Sequence, residues 1–196
     1  MPRQTGPLAT IAVISVEPVR IRPAELHDIK PVTDLLSEAA AWTAAIGFPN
    51  WRVPFPREVV ASGVARRDLY VADLDVGEDD HSIVAALTLQ WSDEFFWGEQ
   101  PDDAGYVHRL VVRRDRAGTG IGAALIDWAS ERVRTTGRTR LRLDASADNL
   151  PLSSFYERLG FMYRGDREGE LVEPDGGIRR WKTRLYERDC HEENPR

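Results

Sequence analysis

One segment constrains this chain more than any other: Leu110-Val111-Val112-Arg113-Arg114-Asp115-Arg116-Ala117-Gly118-Thr119-Gly120-Ile121-Gly122-Ala123. A β-compatible run enters it, and an apolar stripe at helical spacing (Ile121, Leu125, Trp128, Ala129) leaves it. It therefore reads as a strand-to-helix turn, with three glycines in the first turn of a helix expected from Gly118 to about Thr136. Glycine lets the backbone approach a ligand without a Cβ in the way, and the unpaired N–H groups of a helix N-terminus sit at the positive end of its dipole. Such a turn can cradle a phosphate or pyrophosphate. Arg113, Arg114 and Arg116 add flanking charge. The same glycines could equally form a tight turn that binds nothing.

Two nucleotide chemistries compete for this loop. Gly118-Thr119-Gly120-Ile121-Gly122-Ala123 matches the dinucleotide pattern GxGxxG/A, and Asp144 lies 26 residues beyond Gly118, where a ribose-binding acid would be sought. That pattern normally begins almost directly after its strand, whereas here Arg113 to Ala117 intervene. Too little chain also follows Asp144 to complete two mononucleotide-binding halves. An NAD(P)-dependent oxidoreductase stays as an alternative. A Walker loop is excluded, because no Gly-Lys-Ser/Thr follows.

Along the rest of the chain, Val19 to Arg22 alternates apolar and charged residues, which suits an opening strand ending before Pro23. Leu26, Ile29, Val32, Leu35, Leu36 and Ala39 mark a helix from Glu25 to about Ala45, stopped near Gly47 and Pro49. A second helix is expected over Arg57 to Arg66. Strands follow at Leu69 to Leu74 and Ile83 to Trp91, joined by a turn at Gly77 to Asp80. A loop from Ser92 to about Ala104 leads to the strand Gly105 to Val112. After the glycine turn come a strand (Arg140 to Asp144), a helix (Leu150 to Leu159), a strand (Phe161 to about Arg164) and a last strand around Trp181 to Tyr186. Hairpins first and αβ alternation later give one α/β (mixed α+β) domain with a mixed, mostly antiparallel central sheet flanked by helices on both faces. Residues 1–17 are expected to be a tail or first-strand extension, 18–188 the domain, and 189–196 a polar tail.

At 196 residues the chain suits one domain rather than two. Its formal net charge of −6 repels a phosphate backbone, so no nucleic-acid partner is expected. The apolar run Leu8 to Val16 is too short to span a bilayer and resembles no leader, so no membrane partner is expected. Cys190 is the single cysteine, which rules out an intrachain disulfide and a cysteine metal cluster and suits a reducing, cytoplasmic setting. No metal is expected.

The segment from about Gly105 to Phe161 resembles the GNAT superfamily of N-acetyltransferases. That family's signature is a strand, then Gln/Arg-x-x-Gly-x-Gly/Ala opening a helix, then an Asn, a Tyr and a Gly-Phe pair. Here these are Ala117-Gly118-Thr119-Gly120-Ile121-Gly122, Asn149, Tyr156 seven residues on, and Leu159-Gly160-Phe161. Ala117 departs from the family, with Arg116 displaced by one residue. The resemblance implies acetyl-CoA as co-substrate. Its pyrophosphate would rest on the amides of Gly118, Thr119, Gly120, Ile121, Gly122 and Ala123, and its pantetheine arm along Leu110, Val111 and Val112 with Asn149 in contact. The thioester would lie in a splay between two strands. Direct attack by an amine is implied, with Tyr156 protonating the departing thiolate, and dimers are frequent in the family.

The residues also allow quieter roles. Tyr156 fits an ordinary helical core stripe with Leu152, Phe155 and Leu159, and Asn149 fits an N-cap. Asp144 is read as general base, as anchor for a substrate ammonium, or as structural. His108 shares a strand face with Tyr106 and Leu110 by period-two alternation, and points either at the transfer site or into the core. Asp93 and Glu94, among Trp91, Phe95, Phe96 and Trp97, suit a cationic acceptor or a solvated loop. The resulting expectation is acetyl transfer to the primary amine of a small molecule. Transfer to a protein N-terminus or lysine, and a non-catalytic CoA-binding regulatory module, are the alternatives.

Overall fold

The computed structural model describes residues 19–49, 51–74, 82–172 and 176–190. The turn expected at Gly77 to Asp80, the segment 1–17 and residues 191–196 lie outside them. In chain order the elements are β1 (Val19–Pro23), a 3₁₀ turn (Leu26–Asp28), α1 (Ile29–Ala45), α2 (Arg57–Arg66), β2 (Leu69–Leu74), β3 (Ile83–Gln90) and α3 (Glu94–Trp97). They continue with β4 (Ala104–Val112), a 3₁₀ turn (Arg114–Arg116), α4 (Ile121–Thr135), β5 (Arg140–Ser146), α5 (Leu150–Arg158), β6 (Met162–Val172) and β7 (Ile178–Asp189). One seven-stranded sheet results, in the order β1-β2-β3-β4-β5-β7-β6.

The helices cover both faces, as period-two alternation in the strands requires. On one face α4 and α5 bury Ile121, Leu125, Ile126, Ala129, Val133 and Tyr156 against Leu87, Leu89, Val107, Leu141, Leu143 and Tyr186. On the other, α1 and α2 bury Val32, Leu36, Val60 and Val64 against Leu69, Val71, Ala86 and Val111. A smaller cluster of Trp97, Ala104, Tyr106 and Leu185 sits under α3.

Every strand pair is antiparallel except β4 with β5. That parallel pairing runs from Ala104 opposite Arg140 to Val107 opposite Leu143 and stops there. Beyond it β4 stays with β3, and β5 with β7, so the two strands part in mid-sheet. A bulge helps to separate them. Thr88 pairs with His108 and Ala86 with Val111, so Arg109 and Leu110 together face one residue of β3, and Arg109 takes a left-handed φ of 53°.

Four sequence expectations need correction. The α4 helix begins at Ile121, because Gly118 and Gly120 adopt φ of 81° and 87° and cannot continue a right-handed helix. The Ser92 to Ala104 loop contains α3, capped by the Asp93 carboxylate accepting from the Phe96 N–H. The last two strands are longer than expected and pair from Met162–Glu187 to Val172–Ile178. Cys190 is no part of a polar tail: it is buried in the core cluster beside α4.

Candidate active site

The glycine turn is built as a cradle. After the Arg114–Arg116 turn, Ala117 is extended, and the left-handed Gly118 and Gly120 deliver the chain to α4. The first α4 hydrogen bond is Ala124 N to Gly120 O, at 3.0 Å. The N–H groups of Gly118, Gly120, Ile121, Gly122 and Ala123 donate to no backbone carbonyl among the described residues. They are the free donors of a helix N-terminus. Thr119 locks the turn from inside, its hydroxyl donating to Arg116 O at 2.8 Å. Arg113 is held by Asp115 and Ser82, both at 2.7 Å, and Arg116 lies 3.8 Å from Asp115. Arg114 stacks over Trp42 at 3.7 Å, tying the turn to the end of α1.

Where β4 and β5 part, three of the singled-out residues meet. His108 and Asp144 are the first residues past the last paired couple, Val107 and Leu143. His108 Nδ1 lies 3.3 Å from Asp144 Oδ1, and His108 Nε2 lies 3.5 Å from Asp93 Oδ2. These contacts are long for hydrogen bonds, and among the described residues His108 Nε2 and Asp93 Oδ2 are buried without a hydrogen-bond partner. Burial pushes the Asp93 carboxyl above the usual range, against the opposing pull of His108. Thr183, not singled out from the sequence, donates its hydroxyl to Ala145 O at 2.7 Å and lies 3.2 Å from Asp144 Oδ2.

Tyr156 approaches from the opposite face. Its ring packs among Phe155, Phe161 and Tyr186 in the α4/α5 core, and its hydroxyl makes no hydrogen bond among the described residues. Burial holds its phenol well above the ordinary tyrosine value, and the charge of Asp144 adds to the effect. Leu141 and Leu143 face that same core, so Asp144 projects to the other side. A buried phenol and a carboxylate thus lie on opposite faces of the sheet, close enough for the charge of Asp144 to act on Tyr156. Leu110 and Val112 lie on the Tyr156 side and Val111 on the α1/α2 side. The bulge makes Leu110 a face-mate of Val107, not of His108 as strict alternation predicts.

Asn149 caps α5, its Oδ1 accepting from Leu152 N at 3.1 Å. Trp91 stacks instead with Arg138, 4.6 Å from the ring centre, and Glu94 is exposed on α3, so neither joins the His108 cluster. In their place stands an aromatic wall in which Phe95 and Phe96, already grouped with Asp93 in the sequence, are joined by Trp181, which was not. Trp181 of β7 packs against Phe95 and Phe96 at 5.3 and 5.2 Å, and Phe96 lies 6.4 Å from the His108 ring. Its members are spread over α3 and β7, and only the fold joins them. Asp93, His108 and Asp144 also offer ligand atoms within 4.8 Å of one another, a grouping that could hold a cation. His108, however, turns one ring nitrogen to each carboxylate, the arrangement of a proton-sharing chain.

Residues 38–161 match the model of the acetyltransferase (GNAT) family. The chain is similar, at 31% identity over 73% of its length and 81% of the other's, to an uncharacterized N-acetyltransferase, YesJ, of Bacillus subtilis. The chain belongs to the GNAT acetyltransferase family. Its fold resembles a GNAT-family acetyltransferase from Listeria monocytogenes (TM-score 0.66, 20% identity, 87% of this chain and 94% of that one). It also resembles the PaiA N-acetyltransferase of Thermoplasma acidophilum, solved with coenzyme A (TM-score 0.59, 15% identity, 88% and 99%). The mostly antiparallel sheet leaves no place for the two mononucleotide-binding halves of a dinucleotide enzyme. Among the described residues no helix is long and apolar enough to cross a membrane.

Proposed function

We propose that this protein transfers the acetyl group of acetyl-CoA to the primary amine of a small molecule by direct attack in a ternary complex. The observation that carries the reading is the placement of Tyr156 and Asp144 on opposite sides of the β4/β5 split. The pyrophosphate would rest on the amides from Gly118 to Ala123, and the pantetheine arm would run along Leu110 to Val112 with Asn149 beside it. An N–H of the bulged β4 would face the acetyl oxygen; a fixed donor of this kind is worth about 3–4 kcal/mol to a developing oxyanion.

The amine must lose a proton as it attacks. A carboxylate is about 6 units less basic than a free alkylamine, roughly 8 kcal/mol, so Asp144 acting alone is a weak base. An imidazole is the stronger base by about 2.5 units. Asp144 therefore works best with His108 at 3.3 Å as next acceptor and Asp93 behind it. On the other face Tyr156 stays protonated and hydrogen-bonds to the thiolate as it leaves, its buried phenol being too weak an acid for full transfer. A small acceptor is favoured because α3 and the β6/β7 pair close over this face. Arg167 of β6 donates to Phe96 O at 3.2 Å, and Trp181 covers both phenylalanines.

The test is calorimetric titration with acetyl-CoA, NAD and NADP, followed by thiol release over a panel of amines. Micromolar acetyl-CoA binding with amine-dependent thiol release is the expected result. Acetyl-CoA binding with no release for any amine would leave a regulatory module in place of an enzyme.

A further inference from the structure

Arg109 is a residue the sequence gave no reason to notice. It sits in the β4 bulge beside His108, with a left-handed φ of 53° that a side-chain-bearing residue seldom adopts. Bulges re-aim side chains next to active sites, and such outliers cluster where ligands are clamped. The residue is half-buried, and burial lowers its proton affinity.

Its partners are the unusual part. Arg22, Arg113, Arg116, Arg138, Arg140, Arg142, Arg184 and Arg188, the other described arginines of restricted exposure, each lie within 4.0 Å of a carboxylate. Arg109 makes no hydrogen bond or ion pair among the described residues. The charges acting on it are first those of Asp68 and Arg66, then those of Asp144 and Asp93. Asp68 does not serve as its partner. Asp68 Oδ2 already accepts from Arg66 at 2.8 Å and Gln90 at 2.9 Å, and its Oδ1 is buried without a hydrogen bond. An arginine of restricted exposure with no partner of its own is open to an anion, and its planar fork suits a carboxylate bidentately.

We propose that Arg109 receives the carboxylate of a zwitterionic acceptor, so that the amine presented to the thioester is the α-amine of a free amino acid. The inference rests on the acetyl-transfer reading above and specifies its substrate class. Asp93 and Asp144 supply negative charge for the ammonium, and Arg109 supplies positive charge for its neighbour.

The test compares acids with their amides. Alanine, leucine, methionine and phenylalanine are each paired with the corresponding amino-acid amide, which keeps the side chain and amine but loses the carboxylate. Thiol release from acetyl-CoA gives kcat/KM for every member, with the polyamine spermidine as a carboxylate-free reference. The wild-type protein is expected to prefer at least one acid over its amide by 10-fold or more. In Arg109→Gln that ratio falls by 10-fold or more, mainly through KM, and Arg109→Lys restores it in part. The differing basicity of acid and amide amines cancels, since both variants meet the same pair. Amides turned over as well as or better than acids in the wild type overturn the inference, and point to peptide N-termini. So does turnover of spermidine alone, which leaves acetyl transfer standing. Thiol release with none of these amines, despite acetyl-CoA binding, overturns the inference and the acetyl-transfer reading together.

Discussion

Replacing Tyr156 with Phe should separate catalysis from stability in one variant. The ring is buried among Phe155, Phe161 and Tyr186, and the hydroxyl has no partner among the described residues. Removing it deletes no hydrogen bond and opens no cavity, so folding stability should move by less than about 0.5 kcal/mol, or ~1–2 °C in Tm for a domain this size. The lost hydrogen bond to the departing thiolate should slow acetyl transfer by about 10–150-fold, roughly 1.5–3 kcal/mol of barrier. Alkaline unfolding adds a signature. Above about pH 10 the phenol of the unfolded chain ionises while the buried, raised phenol of the folded protein keeps its proton. The native state then binds more protons than the unfolded one, and wild-type stability falls as pH rises, by up to ~1.4 kcal/mol per pH unit. Tyr156→Phe should lose stability less steeply there. Thermal melts from pH 7 to 11 and single-turnover thiol release decide the matter. A rate within 3-fold of wild type would refute the role of Tyr156, and parallel alkaline slopes would refute its burial as the source of the raised phenol.

Three further outcomes are expected. In Gly105→Ala the new Cβ would lie 2.4 Å from Val133 Cγ2 and 3.2 Å from Leu89 Cδ1, so a fall of about 2 kcal/mol, ~4–8 °C in Tm, should appear on melting. Gly118→Ala meets no atom within 4 Å, but its φ of 81° costs an L-residue ~1 kcal/mol. The unliganded turn should relax out of its cradle, weakening acetyl-CoA binding by about 5-fold in calorimetry, and unchanged affinity would count against the cradle. Asp93→Asn keeps the α3 cap, since Asn caps as well as Asp. Burial raises Asp93, so its effect on stability turns unfavourable as pH climbs from the unfolded value near 3.9 through the raised folded one. The variant should melt at or above the wild type at pH 7, with the difference vanishing toward pH 4, and transfer acetyl more slowly. A gap that favours wild type and widens with pH would contradict this.

Elements whose periodicity is strong were legible from the sequence alone. The second helix and the strand from Leu69 to Leu74 fall where expected, since a ten-residue amphipathic stretch and an apolar run broken only by Asp73 leave little choice. The β6/β7 pair was read too short because its outer half carries charge on successive residues, and ten-residue pairing is decided by the partner strand rather than by its own pattern. The short α3 did leave a signal, an Asp before Glu-Phe-Phe-Trp and a Gly after it, that aromatic clustering obscured. Within the site, Tyr156, Asp144, His108 and Asp93 were each found singly, but their meeting depends on β4 and β5 parting. Arg109 was invisible because a left-handed arginine has no sequence signature, and the same bulge defeated the alternation that grouped His108 with Leu110.

The parting of β4 from β5 also bears on how long the chain survives. It leaves two strand edges in the middle of a sheet, each with backbone donors and acceptors that no neighbouring strand meets. A pantetheine arm carries two amide groups of its own and can lie between those edges as a short surrogate strand, so acetyl-CoA would complete the architecture as well as feed the reaction. A ligand that binds only the folded form stabilises it by about 2.7 kcal/mol at 100 times its Kd. Resistance to proteolysis should therefore follow the acetyl-CoA supply, so that a starved cell would clear this protein faster than a well-fed one.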